Sequence, residues 1–192
     1  MHNNSSKIKE SSIKESLVNL RTLQFSTVGR MIVCKRYNFQ QAKSGFMLKD
    51  KDKDILVRSS LVLRKVADKE KIKKDSTGVI HKLSNYPSPI KRLVKSSSND
   101  DFNCNIQHLK LKEFNVLYYL LFFYDIIEIF KVNSNDITNI PTYSLTQLKD
   151  KPDVSRFHID RESYNNYHKQ NSTNNRVSHN KVRYDKLNKY LK

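Results

Sequence analysis

An α+β fold is predicted, in which a small β-hairpin or sheet packs with one long apolar helix and a short N-terminal helix, among extensive disordered basic segments. Three observations predict it. Apolar residues recur at every second position in two stretches, 23–39 and 55–63. The chain becomes almost continuously apolar from Phe114 to Tyr124. Only 37% of the 192 residues are apolar against 29% charged, too few for the whole length to pack.

Residues 1–11 are polar and read as a disordered lead without the apolar core of a signal peptide. Ser12 with Glu15 three positions on resembles a capping box ahead of Ile13, Leu17 and Leu20, which predicts a short amphipathic helix. Met31, Val33, Tyr37 and Phe39 then fall on odd positions, as do Ile55, Val57, Leu61 and Leu63. That period predicts strands near Arg30–Phe39 and Ile55–Val66, joined by a loop through Gly45 and the charged stretch Lys49–Asp54. Residues 12–66 are thus the helix-plus-hairpin part of the core.

Residues 67–105 read as a basic, Pro- and Ser-containing linker. Residues 106–132 read as an apolar helix serving as core or as partner-binding surface. The uncharged run is about half the roughly 20 residues a membrane span needs, and Asp125 and Glu128 follow it, so a transmembrane helix is disfavoured. Residues 133–192, rich in Asn, Lys, Ser and Tyr without a sustained period, read as a largely disordered tail with room for a short helix around 181–191.

Charge sets the functional expectation. The chain carries 36 Lys and Arg against 19 Asp and Glu, a net +17, which attracts phosphate-rich partners. From Arg58 to Lys95 there are 11 basic residues against Asp68, Glu70 and Asp75, a local excess of +8. Within it Arg58, Arg64, Lys65, Lys69, Lys71, Lys73, Lys74, Lys91 and Arg92 are the expected nucleic-acid contacts, by neutralising phosphate and releasing counterions. The cluster Arg64–Lys74 also resembles a nuclear localisation signal, and the late tyrosines Tyr164, Tyr167, Tyr184 and Tyr190 suit stacking on exposed bases. Ser88, in Pro87-Ser88-Pro89-Ile90-Lys91, stands in a context resembling the target of proline-directed kinases, and phosphate there opposes the basic charge.

Candidate chemistry is sparse. Asp125 and Glu128, three apart on a predicted helix, offer at most a partial cation site, and Cys104 with His108 offers half of a zinc site. Cys34 and Cys104 are too far apart in sequence for a small disulfide framework, which points to a reducing compartment. His158 and Arg161 form an H-x-x-R spacing followed by His179, Tyr184 and Tyr190, which resembles tyrosine recombinases. The resemblance implies Arg and His groups on a phosphate and a tyrosine nucleophile. The stretch between Arg161 and His179 lacks the apolar period to hold such groups rigid, and the recombinase core is too large for this chain. No Gly-rich phosphate loop or nucleophile elbow is present. No catalytic residue, metal or cofactor is therefore assigned.

The expectation is a non-catalytic nuclear factor, accessory or regulatory, that binds DNA or RNA through its basic segments. It meets a protein partner, or a second copy, through Leu117, Leu120, Leu121 and Phe123 of the apolar helix. A protein-interaction scaffold without nucleic-acid contact is the alternative, and a peripheral membrane protein inserting Phe114–Phe123 the third.

Overall fold

In the computed structural model, Val116–Phe122 is an extended strand buried at all seven positions, and the other elements cover its two faces. The structure describes residues 12–42, 47–65, 88–145, 155–169 and 176–191. In chain order these form helix α1 (12–18), helix α2 (Thr22–Tyr37), and strands β1 (Gln40–Gln41), β2 (Met47–Asp50) and β3 (Lys53–Leu61). Helix α3 (Pro89–Arg92) and strands β4 (Asn103–Leu109), β5 (Val116–Phe122) and β6 (Ile126–Asn133) follow. Helix α4 (Ser134–Ile137), strands β7 (Tyr143–Leu145) and β8 (Ser155–Asp160), helix α5 (Arg161–Lys169), strand β9 (Val177–Arg183) and helix α6 (Asn188–Leu191) complete the fold.

Six strands make one sheet in the order β1-β2-β3-β5-β6-β9, with β3 and β5 parallel and every other pair antiparallel. A second, antiparallel sheet has the order β4-β8-β7. Alternation along β5 divides the interior. Val116, Tyr118, Leu120 and Phe122 meet Leu17, Phe25, Ile32, Val33 and Leu187 from the helical layer. Leu117, Tyr119 and Leu121 meet Phe102, Cys104, Ile106, Phe157, Ile159 and Tyr164 from the small sheet and α5. The described residues therefore form three layers with two cores, one on each face of the large sheet.

The predicted apolar helix over 106–132 does not exist; that stretch is β4, β5 and β6. A run of seven apolar residues rich in β-branched and aromatic side chains is what a strand buried on both faces requires. Its charged break is a hairpin turn: Phe123 N–H donates to the Ile126 carbonyl (2.9 Å), and the Asp125 carboxylate accepts from Ser96 N–H (2.8 Å) and Ser96 Oγ (2.7 Å). The predicted strand over Arg30–Phe39 is likewise overturned, since Thr22–Tyr37 is helical. Phe25, Ile32 and Val33 share its buried face at helical spacing, whereas the two-residue reading leaves out Ile32, which is fully buried.

The expected hairpin is shifted. β3 begins at Lys53 and pairs with β2 across a turn at Lys51 and Asp52. Nor is the C-terminal third a uniform tail, because 155–169 and 176–191 supply β8, α5, β9 and α6. In β8, Ser155, Phe157 and Ile159 alternate inward, a pattern only six residues long; β9 buries Val177 and Val182 alone.

Candidate functional site

Glu128 is the one carboxylate in the central hairpin that is completely buried. Its neighbours in β6, Ile127 and Ile129, face the helical layer, so alternation turns its carboxylate toward the layer that contains α5. Helix α5 presents Tyr164 and His168 four residues apart, hence on one face. Antiparallel β9 places Lys181 opposite Glu128 and His179 opposite Phe130, so His179 is the diagonal neighbour of Glu128 on the same face. Three elements distant in sequence thus converge on one carboxylate.

The Tyr164 hydroxyl donates to Glu128 Oε2 at 2.5 Å. Burial and the adjacent Glu128 raise the phenol's pKa far above its ordinary value, so Tyr164 remains a donor. Glu128 Oε1 lies 2.8 Å from His168 Nε2 and 3.3 Å from His179 Nδ1. At 2.8 Å the first pair is close enough for a hydrogen bond yet misaligned for one. Both atoms are buried without a hydrogen-bond partner among the described residues. The imidazole rings stand edge to face with centroids 4.2 Å apart. Burial, then His168, lowers the pKa of His179 against the opposing pull of Glu128. The His168 and His179 side chains are 23% and 28% exposed, so the imidazoles border solvent while Glu128 Oε1 and His168 Nε2 are themselves buried.

Helix α5 is fixed at its start. Asp160 Oδ1 accepts from Ser163 N–H (2.9 Å) and Ser163 Oγ, while Ser163 Oγ accepts from Asp160 N–H (3.0 Å). Burial would raise the Asp160 carboxyl, but these bonds hold it below its usual value. Arg161 points its guanidinium at the carbonyls of Asp100 and Ser96, both at 3.1 Å, and over the ring of Phe102. Those bonds make it a clamp on the 96–100 loop, while His179 belongs to the Glu128 cluster, so the H-x-x-R spacing builds no common centre.

The basic residues form a different feature. Leu63 bridges Leu93, Arg64 N–H donates to the Arg92 carbonyl (2.9 Å), and Val94 N–H donates to the Val62 carbonyl (2.9 Å). The two ends of segment 66–87 are therefore stapled side by side, with Arg64 and Lys65 next to Lys91 and Arg92. Arg64, Lys65 and Lys91 are exposed, and none has a carboxylate ion-pair partner among the described residues. Ser88, at the start of α3, is exposed and its hydroxyl caps nothing. Arg58 stands apart, half-buried in β3, its pKa lowered by burial and by Arg30. Lys69, Lys71, Lys73 and Lys74 lie outside the described residues.

Leu117, Leu120, Leu121 and Phe123 have no exposed surface, and this chain's own sheets and helices cover them. No helix among the described residues is long and apolar enough to cross a membrane. Asp125 and Glu128 are committed to different partners. Cys104 is buried facing the Leu61 carbonyl, its thiol pushed up to about 12 by burial, whereas His108 is exposed at a bulge of β4.

Local sequence spacing does not assemble Glu128, Tyr164, His168 and His179. Two signals are present in it: a lone carboxylate inside an apolar run, and a Tyr and a His at helical spacing. Comparison of the chain with protein-family models, curated proteins and solved structures found no match.

Proposed function

We propose that this chain is an accessory factor that binds nucleic acid through the basic patch at the two ends of segment 66–87. The Leu63–Leu93 bridge carries the reading: it gathers Arg64, Lys65, Lys91 and Arg92 from both sides of a further basic stretch. Closely spaced cations track a phosphate backbone better than the same charges dispersed, because each contact releases a condensed counterion. Phosphate on Ser88 would add nearly two negative charges beside Lys91 and Arg92 and weaken binding, so Ser88→Glu is expected to lower affinity. The resemblance of Arg64–Lys74 to an import signal supports a nuclear site of action.

Recovery of the tagged native protein with and without nuclease tests this reading. Co-purifying nucleic acid, and associated material removed by nuclease treatment, is the expected result. Recovery of the same protein partners regardless of nuclease, with no nucleic acid bound, would replace it with the scaffold reading.

A further inference from the structure

We infer that Glu128, His168 and His179 form a binding site for a divalent transition-metal ion of the zinc class, with Tyr164 as the residue that orients the carboxylate. The three groups offer Oε1, Nε2 and Nδ1, and all three atoms lie within 4.8 Å of one another. Two imidazoles and one carboxylate are a donor set that zinc and neighbouring metals accept. Calcium and magnesium, which want oxygen ligands throughout, do not suit it.

A network held only by protons places an N–H along the line to the carboxylate oxygen. Here Glu128 Oε1 and His168 Nε2 sit 2.8 Å apart without that alignment, and the same oxygen also faces His179 Nδ1 at 3.3 Å. Two imidazole nitrogens turned toward one oxygen of a buried carboxylate is the arrangement of ligands around an ion. Donor atoms bound tetrahedrally at 2.0–2.2 Å lie roughly 3.3 Å from one another. The observed 2.8 and 3.3 Å separations approach that spacing. The other carboxylate oxygen is already engaged by Tyr164, which turns Oε1 toward the imidazoles as an outer-shell donor should. The ion would also compensate a carboxylate that is wholly buried.

The test uses the full chain, stripped with chelator and free of nucleic acid, titrated with zinc chloride by calorimetry and with cobalt(II) by visible absorption. The expected result is one ion per chain, a rise in Tm with zinc, and the d–d absorption of low-coordinate cobalt. Replacing His168→Gln or His179→Gln should lower zinc affinity at least ten-fold and abolish the Tm rise. Tyr164→Phe should lower affinity by about 10- to 100-fold, the usual effect of removing an outer-shell partner. His108→Gln with His158→Gln, away from the cluster, should leave binding unchanged. Glu128→Gln should likewise lower zinc affinity at least ten-fold, and should that buried variant fail to fold, the two partly exposed histidines decide the matter. Absence of stoichiometric zinc binding, or binding and stabilisation that persist in folded His168→Gln and His179→Gln variants, would overturn the site and leave the cluster a proton-linked staple between α5, β6 and β9. Neither result bears on phosphate binding by Arg64, Lys65 and Lys91.

Discussion

Ser59 Oγ on β3 lies 2.0 Å from the point where a β-carbon on Gly29 would stand, and Ser59 Cβ lies 3.3 Å from it. Helix α2 approaches the sheet so closely at Gly29 that any β-carbon there would force the Ser59 side chain to move. In an isolated helix Gly→Ala gains about 1 kcal/mol, but overpacking a core costs about 1–3 kcal/mol. Gly29→Ala should therefore destabilise the protein. Ser59 Oγ is buried without a hydrogen-bond partner among the described residues, so Ser59→Ala alone should be neutral or stabilising by about 1 kcal/mol. Urea unfolding of both single variants and the double variant should show a favourable coupling; strict additivity would mean the two residues do not meet.

The C-terminal third should be indispensable. Truncation after Asn133 removes Phe157, Ile159, Tyr164, Val182, Tyr184 and Leu187 from the two cores. Each large apolar side chain contributes about 1.5–3 kcal/mol on burial, against a typical total stability of about 5–15 kcal/mol. The truncated chain should lose its cooperative thermal transition by circular dichroism, and Leu120→Asp should do the same in the full chain. A cooperative transition in either would contradict the three-layer fold.

The two thiols should differ in reactivity. Cys34 is partly exposed and donates to the Phe39 carbonyl, whereas Cys104 is buried and its thiol is held up at about 12. Iodoacetamide at pH 8 should modify Cys34 first and Cys104 only after denaturant is added, read by mass spectrometry of the peptides. Equal rates under native conditions would show that β4 does not pack on the large sheet.

Asp160 should stabilise α5 in a pH-dependent way. Replacing this capping residue with Ala is expected to cost about 1 kcal/mol at neutral pH. Because the folded-state carboxyl is held below its unfolded value, that contribution is complete above about pH 3.9 and declines as pH falls toward the folded value. The Tm difference between wild type and Asp160→Ala should shrink on acidification; a difference that grows would contradict the cap.

The apolar weight of 114–132 and its need for cover are plain in the residues. Whether such a run becomes helix or two-sided strand depends on what covers it, and those covers come from Phe157, Tyr164 and Leu187, far along the chain. Ile32 shows the opposite failure: a buried helical residue hidden beside a coincidental alternation of Met31 and Val33. Glu128, His168 and His179 could not be joined by local spacing, because strand alternation, helix periodicity and antiparallel register must all be known before they share a face. The basic patch was legible as charge, but the bridge between Leu63 and Leu93 that gathers it is a tertiary contact.

The central claim, that the stapled patch holds nucleic acid by phosphate contact, is tested most directly by the salt dependence of binding to an unrelated duplex, measured by fluorescence anisotropy on wild type and the Arg64→Gln, Lys65→Gln, Lys91→Gln triple variant. All three side chains are exposed, so the variant should keep the wild-type fold. The slope of log affinity against log salt should flatten by about 0.9 for each phosphate no longer neutralised, with affinity falling alike for every sequence tried. An unchanged slope in a folded triple variant would contradict the claim.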